Sequence, residues 1–305
     1  NYDTINLFKV DGYYNLLSKD FVGLMGEASF LTDYLLVDFS FSNFTLDLNK
    51  QFFSIDNAYI NAIGDIRIAC QGIYKNKLSL LDNYPTFKSN SNDLQFELFD
   101  GMHVVSGFEL KGNSCILNRN SNPIQIKLRD DKMDYFFTSN HFELKDGELF
   151  GSNTSFSINN ELGFLSHPAV QFSYNHDESK ILLDRLSTKR GLNPIRNGFH
   201  GLNIYADRME IDLIDDNCLF FHYAHGRDIS VLFESDNYFH KNRYDDLFDF
   251  DINRVGLLID FFRDKNHHEQ YSIEELSNFS GLNFDAVLSI LIDLEIFGFI
   301  DYNQF

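Results

Sequence analysis

Hydrophobic and polar residues alternate with a period of two through most of residues 1–235. Val37, Phe39 and Phe41 alternate with polar neighbours, and Phe44, Leu46 and Leu48 repeat the pattern a few positions on. Ile124, Ile126 and Leu128 interleave with Gln125, Lys127 and Arg129, and Met209, Ile211 and Leu213 with Glu210 and Asp212. Successive side chains of a strand point to opposite faces, so each run predicts a strand with one buried and one wetted face. Turn signals separate the runs. Asp100-Gly101 and Asp146-Gly147 suit tight hairpins that need positive φ, and Asp11-Gly12 and Gly112-Asn113 are expected to serve similarly. A Phe-Glu-Leu triplet recurs at Phe96, Phe108 and Phe142, each copy followed within three residues by a turn containing Gly. It reads as a degenerate strand-turn repeat, or as the chance likeness of strands that end at glycine. The intervals, 12 and 34 residues, are irregular.

Two stretches break the alternation. Ser89-Asn90-Ser91-Asn92-Asp93 is wholly polar and predicts a loop or a domain boundary. Residues 187–197 contain Lys189, Arg190, Gly191, Pro194 and Arg196; this most basic stretch of the chain predicts an exposed loop between strands.

Beyond residue 235 the period becomes helical. Residues 249–265 place Val255, Leu258, Ile259 and Phe262 on one face. Ser272 and Glu275 have capping-box spacing at the start of a second helix, and Gly281 suits its end. A third helix is expected from about Asn283, with Phe284, Val287, Leu288, Leu291 and Leu294 buried and Asp285, Ser289, Asp293 and Glu295 exposed. Gly298 would end it, and Phe299-Ile300-Asp301-Tyr302 would form a strand. The expected organisation is a β-rich segment over residues 1–90 and a β-rich domain over residues 91–235. Its class is mainly β, an antiparallel sandwich or short β-solenoid, followed over residues 236–305 by a small winged-helix-like domain.

Composition narrows the partners. The 305 residues carry a formal charge of −20, and the helical segment from residue 251 onward has three basic and ten acidic residues, a net of −7. Polyanions and anionic membrane surfaces are repelled by such a field. The third helix resembles the recognition helix of a DNA reader in position, yet contains no Lys or Arg. Readers of DNA use those cations for phosphates and guanine, so no nucleic-acid partner is expected. No apolar run reaches the ~20 residues that span a bilayer, and no direct membrane insertion is expected. The chain opens Asn1-Tyr2-Asp3 without an initiator Met or a signal peptide, and is expected to be a processed protein or an excised fragment. Its 33 Phe and 15 Tyr, with no Trp, favour strands.

Candidate chemistry is sparse. Cys218, His222, His225 and Asp228 are the one cluster of ligand-type residues and form a weak candidate metal site. His222 and His225 would face opposite sides of a regular strand, and the plain reading is ordinary strand and turn positions. The three cysteines, Cys70, Cys115 and Cys218, support neither a disulfide framework nor a zinc ribbon. His267-His268-Glu269 and the pairs Asp130-Asp131, Asp215-Asp216 and Asp245-Asp246 read as solvated loops and turns. No phosphate-binding glycine loop, nucleophile elbow or zinc-protease motif is present. No catalytic residue and no cofactor are expected.

Several segments carry a resemblance. Glu234-Ser235-Asp236-Asn237-Tyr238-Phe239 precedes Asn242-Arg243-Tyr244-Asp245-Asp246-Leu247. Further on come Tyr271-Ser272-Ile273-Glu274-Glu275-Leu276 and residues 291–302. Upstream stand Ser106-Gly107-Phe108-Glu109-Leu110-Lys111-Gly112 and His167-Pro168-Ala169-Val170. Over roughly residues 100–303 this order resembles a stretch within long, uncharacterised β-rich envelope or secreted proteins of the Bacteroidetes group. The resemblance implies a cell-envelope or extracellular location, protein partners or other domains of the same long chain, and no established activity. The leading expectation is therefore a non-catalytic structural or protein-interaction segment. A second is a glycan- or lipid-binding β-domain, with Tyr13, Tyr14 and Tyr205 as candidate stacking surfaces. A third is a winged-helix transcription regulator with a β-rich sensor.

Overall fold

The structure is a computed structural model describing residues 6–31, 36–47, 49, 52–63, 68–77, 85–112, 114–119, 122–130, 132–145, 147–188, 190–224, 227–235, 254–264, 271–296, 300 and 302. It is mainly β: one large antiparallel sheet is followed by three helices.

The sheet opens with four strands in chain order, β1 (Asn6–Asn15), β2 (Asp20–Leu31), β3 (Leu36–Asp47) and β4 (Phe52–Ile63), each paired with the next. β5 (Cys70–Lys77) follows, and alternate residues along it are buried, as the period-two pattern requires. From here the long legs of the meander are interrupted. β6 (Thr86–Ser89) and β7 (Leu94–Phe99) lie end to end along one edge of β8 (Met102–Lys111). β9 (Ser114–Asn118) and β10 (Ile124–Arg129) do the same along its other edge. β11 (Asp134–Ser139) and β12 (His141–Lys145) share an edge of β13 (Glu148–Asn160), whose other edge pairs with β14 (Gly163–Asn175).

Next, β15 (Lys180–Arg185) and β16 (Ile195–Asn197) share the far edge of β14. β18 (Arg208–Asp212) pairs with β15 and β17 (Leu202–Tyr205) with β16. β19 (Asn217–Ala224), β20 (Arg227–Ile229) and β21 (Leu232–Ser235) complete the meander. Every pairing among the described residues is antiparallel, which differs from the stacked parallel coils that a solenoid requires. The polar stretch 89–93 is an interruption rather than a boundary. β6 and β7 on either side of it pair with the same strand, and Ser89 is buried, accepting from the Phe108 N–H at 3.0 Å.

Backbone irregularities set the phase of the hydrophobic pattern. In β3, Phe39, Phe41 and Phe44 are all buried because the alternation slips by one residue at Asn43, at φ 53°, while the register against β2 and β4 is kept. Asp11 and Gly12 are not a turn. They lie inside β1, Asp11 between two register shifts and Gly12 just after the second, where a Cβ on Gly12 would stand 2.4 Å from the Val22 carbonyl oxygen. Gly101 and Gly147 do occupy hairpin turns, at φ 73° and 81°.

Buried side chains from Phe39 in β3 to Ile211 in β18 form one cluster, continuous across residue 90. Contacts also join turns that lie apart in the strand order. Phe99 at the β7–β8 turn stacks on His176 beyond β14, with ring centroids 4.5 Å apart, and Lys132 beyond β10 pairs with Asp216 before β19.

The helices are α1 (Arg254–Asp264), α2 (Ile273–Ser280) and α3 (Phe284–Ile296). α2 carries the expected capping box between Ser272 and Glu275 and ends at Gly281 with φ 69°. In α1 the inward face is Leu258 and Phe261, while Ile259 is 51% exposed. In α3 it is Val287, Ile290, Leu291 and Leu294, while Phe284 is exposed and Leu288 half-buried. Of the expected final strand, the described residues Ile300 and Tyr302 pack against this helical core. No helix among the described residues is long and apolar enough to cross a membrane.

Candidate functional site

A dense polar contact lies where α3 meets the loop between β15 and β16. Arg185 shapes that loop, donating from Nε to the Gly191 carbonyl at 3.0 Å and from Nη2 to the Leu192 carbonyl at 3.1 Å. A 3-10 turn over Arg190–Leu192 then presents Arg190 to α3. Its Nε and Nη2 donate to the two carboxylate oxygens of Glu295 at 3.2 and 3.0 Å, and Nη2 also reaches the Tyr302 carbonyl at 2.8 Å. The guanidinium lies 5.0 Å from the centre of the Tyr302 ring. Arg196 donates to the Glu295 carbonyl at 3.1 Å, at the C-terminal end of α3, where a cation meets the negative end of the helix dipole.

Two expectations change here. The basic stretch is not simply exposed, because Arg190 is 8% accessible, and α3 does not present Asp293 and Glu295 to solvent, since they are 7% and 6% accessible. A buried carboxylate is stable only beside a partner that meets it with hydrogen bonds, and a forked guanidinium does so at two oxygens. The pair is separated by 105 residues, so no local pattern announces it. The available signal is charge complementarity between the one basic stretch and an acidic helix.

His167 sits next to this contact, at the point where β14 passes from pairing with β15 to pairing with β16. It is 4% accessible. Its Nδ1 accepts the Ala169 N–H at 3.1 Å, so the ring proton resides on Nε2, which donates to the Asn193 carbonyl at 2.9 Å. Burial drives its pKa down to about 4, the Asn193 hydrogen bond opposes this, and the charges of Arg185 and Arg190 add to it. The ring is neutral and both nitrogens are engaged, leaving no lone pair for proton transfer. A small cleft of about 200 Å³ opens beside it, lined by Ser155, Ser166, Asn193, Arg196 and Glu295 among others. Its charged members already hold α3 to the sheet.

Among the described residues no three His, Cys, Asp or Glu side chains stand close enough to hold an ion, and only two members of the weak candidate site, Cys218 and His222, have described side chains. Cys218 is exposed on β19. His222 binds Asp207 instead, Nδ1 to Oδ2 at 2.7 Å. Burial would raise the Asp207 pKa, but the Tyr223 N–H and His222 outweigh it and hold the carboxyl below its usual range. His225 and the Asp228 side chain lie outside the described residues. Cys70 and Cys115 are buried thiols, pushed by burial to about 11 and about 12, and so are unreactive.

Asp130 caps a turn, accepting the Lys132 and Met133 N–H groups at 2.7 Å each. Asp216 pairs with Lys132. Asp131, the pair Asp245-Asp246 and His267-His268-Glu269 lie outside the described residues. Of the candidate aromatics, Tyr13 and Tyr14 are exposed, whereas Tyr205 is half-buried and donates to Glu234 at 3.0 Å. In comparisons with known proteins, no family model matches the chain, and no curated protein or solved structure does either.

Proposed function

We propose that this chain is a non-catalytic structural or protein-interaction segment of a larger cell-envelope protein, in which the helical unit, winged-helix-like in its order, is a docking element. The observation that carries the reading is the buried Arg190–Glu295 pair. It commits the C-terminal half of α3 and the most basic loop of the chain to each other. A helix used in this way has its end covered by protein, and its exposed start offers Phe284 and Asp285 rather than cations. That geometry favours a fixed scaffold over a groove-reading helix, and so over the regulator reading. The cell-envelope location rests on the sequence resemblance.

The test joins fractionation to binding. The tagged full-length gene product is followed in its own cells, and the purified chain is titrated against duplex DNA across a salt series. Recovery with the envelope and no gel shift is the expected result. A salt-sensitive shift, or recovery with the nucleoid, overturns the reading. Glycan binding is a second reading, favoured by a trough on the outer face of the sheet.

A further inference from the structure

The face of the sheet turned away from the core bears a trough of about 460 Å³ across its first four strands. Its floor includes a cross-strand row in which Glu27 stands opposite Ser40 and Ser40 opposite Tyr59, and beside the trough Tyr59 stands opposite Gln71. A second row places Met25 opposite Ser42, with Asn57 also lining the trough. Irregular pairing surrounds it. β1 has an extra residue around Lys9, at φ 47°, β2 has one at Leu24, and β4 has one between Ile55 and Ala58. Such bulges bend strands and re-aim the side chains beside them.

The lining has a definite chemistry. Tyr59 is 42% exposed and Met25 59%, which leaves an aromatic and a thioether surface open. Gln71 donates to the Asn57 side-chain carbonyl at 3.1 Å, which fixes that amide and leaves its NH2 group to point elsewhere. Lys9 and Glu27 lie 3.1 Å apart, so the charges of the trough cancel. Ser40 and Ser42 add hydroxyls.

We propose that this trough binds a neutral glycan, with Tyr59 as the stacking platform and Asn57, Ser40 and Ser42 as hydrogen-bonding groups. A sugar ring has an apolar C–H face and a hydroxyl rim, which an exposed aromatic ring flanked by neutral donors and acceptors matches. The volume lies within the roughly 300–1,000 Å³ of small-molecule sites. Acidic glycans are disfavoured by the −20 charge of the chain. An extended peptide would use a free strand edge, and β2, β3 and β4 are hydrogen-bonded on both edges. The proposal is independent of the scaffold role, since the trough is far along the chain from the Arg190–Glu295 contact and can hold a glycan whether or not α3 is a dock.

The experiment is calorimetric titration of the full chain with cellotetraose, xylotetraose and chitotetraose. At least one is expected to bind with a Kd below about 1 mM. Tyr59→Ala is expected to weaken that binding about ten-fold or more, Tyr59→Phe to keep it within about two-fold, and Asn57→Ala to weaken it about three-fold. Both positions are at the surface, so thermal midpoints should match wild type and report folding separately. The absence of binding by all three sugars at about 10 mM, or binding that Tyr59→Ala leaves unchanged, overturns the proposal.

Discussion

Between β3 and β14 the buried rings touch one another in separate groups. Phe39 lies 4.5 Å from Tyr74, Phe41 lies 4.7 Å from Phe44, and Phe137 lies 4.4 Å from Phe172, centroid to centroid. The helical unit has seven buried apolar residues among those described, and its polar attachment to the sheet centres on one guanidinium. The first arrangement is non-directional and redundant, so a lost contact is shared by many neighbours. The second is directional. It fixes how α3 sits on the β15–β16 loop, but each partner depends on the other to be tolerated inside the protein.

The comparison is broken most forcefully at the rings. Phe172 is fully buried between Phe137 and Phe142. Phe172→Ala should cost about 3–5 kcal/mol in urea denaturation and lower the stability of the whole sheet. A cost under about 1 kcal/mol would mean that the core is not packed as described. At the Arg190–Glu295 contact, Glu295→Ala strands a buried guanidinium and should cost about 3 kcal/mol locally. Hydrogen exchange should speed up in α3 while β11 and β13 stay protected. The double change Arg190→Met with Glu295→Leu should restore protection, because a buried ion pair and an apolar pair of similar size are close in stability. Equal loss in the single and double variants would refute the assignment.

His167 gives a gentler effect. Its folded pKa, about 4, lies below the ordinary 6.5, so the unfolded chain takes up its proton first as pH falls. Its contribution is undiminished above pH 6.5 and is lost between 6.5 and 4. By pH 5 the loss should be about 2 kcal/mol. His167→Asn should flatten that part of a stability-versus-pH curve, and an unchanged slope would show that other groups cause it. The smallest change is Gly147→Ala. The turn holds φ at 81° with no atom within 4 Å of an added Cβ, so backbone strain alone should cost about 1 kcal/mol.

Much of this architecture can be read locally. The Ser272–Glu275 box and Gly281 are visible because helix ends are satisfied by residues three or four positions away. The jump from Phe41 to Phe44 in the period-two pattern is itself the mark of the backbone irregularity at Asn43. Asp11-Gly12 has turn chemistry yet lies in a strand, because what selects glycine there is the neighbouring backbone of β2. Ile259 and Phe262 fit one helical stripe equally well, and only the position of α2 decides that Phe261 turns inward instead. The Arg190–Glu295 contact is the least legible part. A carboxylate at position 295 belongs on a wet face by every local rule, and the group that draws it inside lies on a loop between two strands.

The interruptions within the long strands differ in size: one residue between β11 and β12, four between β6 and β7, five between β9 and β10, and nine between β15 and β16. Ladders above and below each gap keep the register, so the inserted backbone can lengthen without displacing its neighbours. A new appendage can therefore sprout from mid-strand, at the flank of the molecule, instead of at the hairpin tips. The longest of these insertions supplies Arg190, the side chain that reaches the helices.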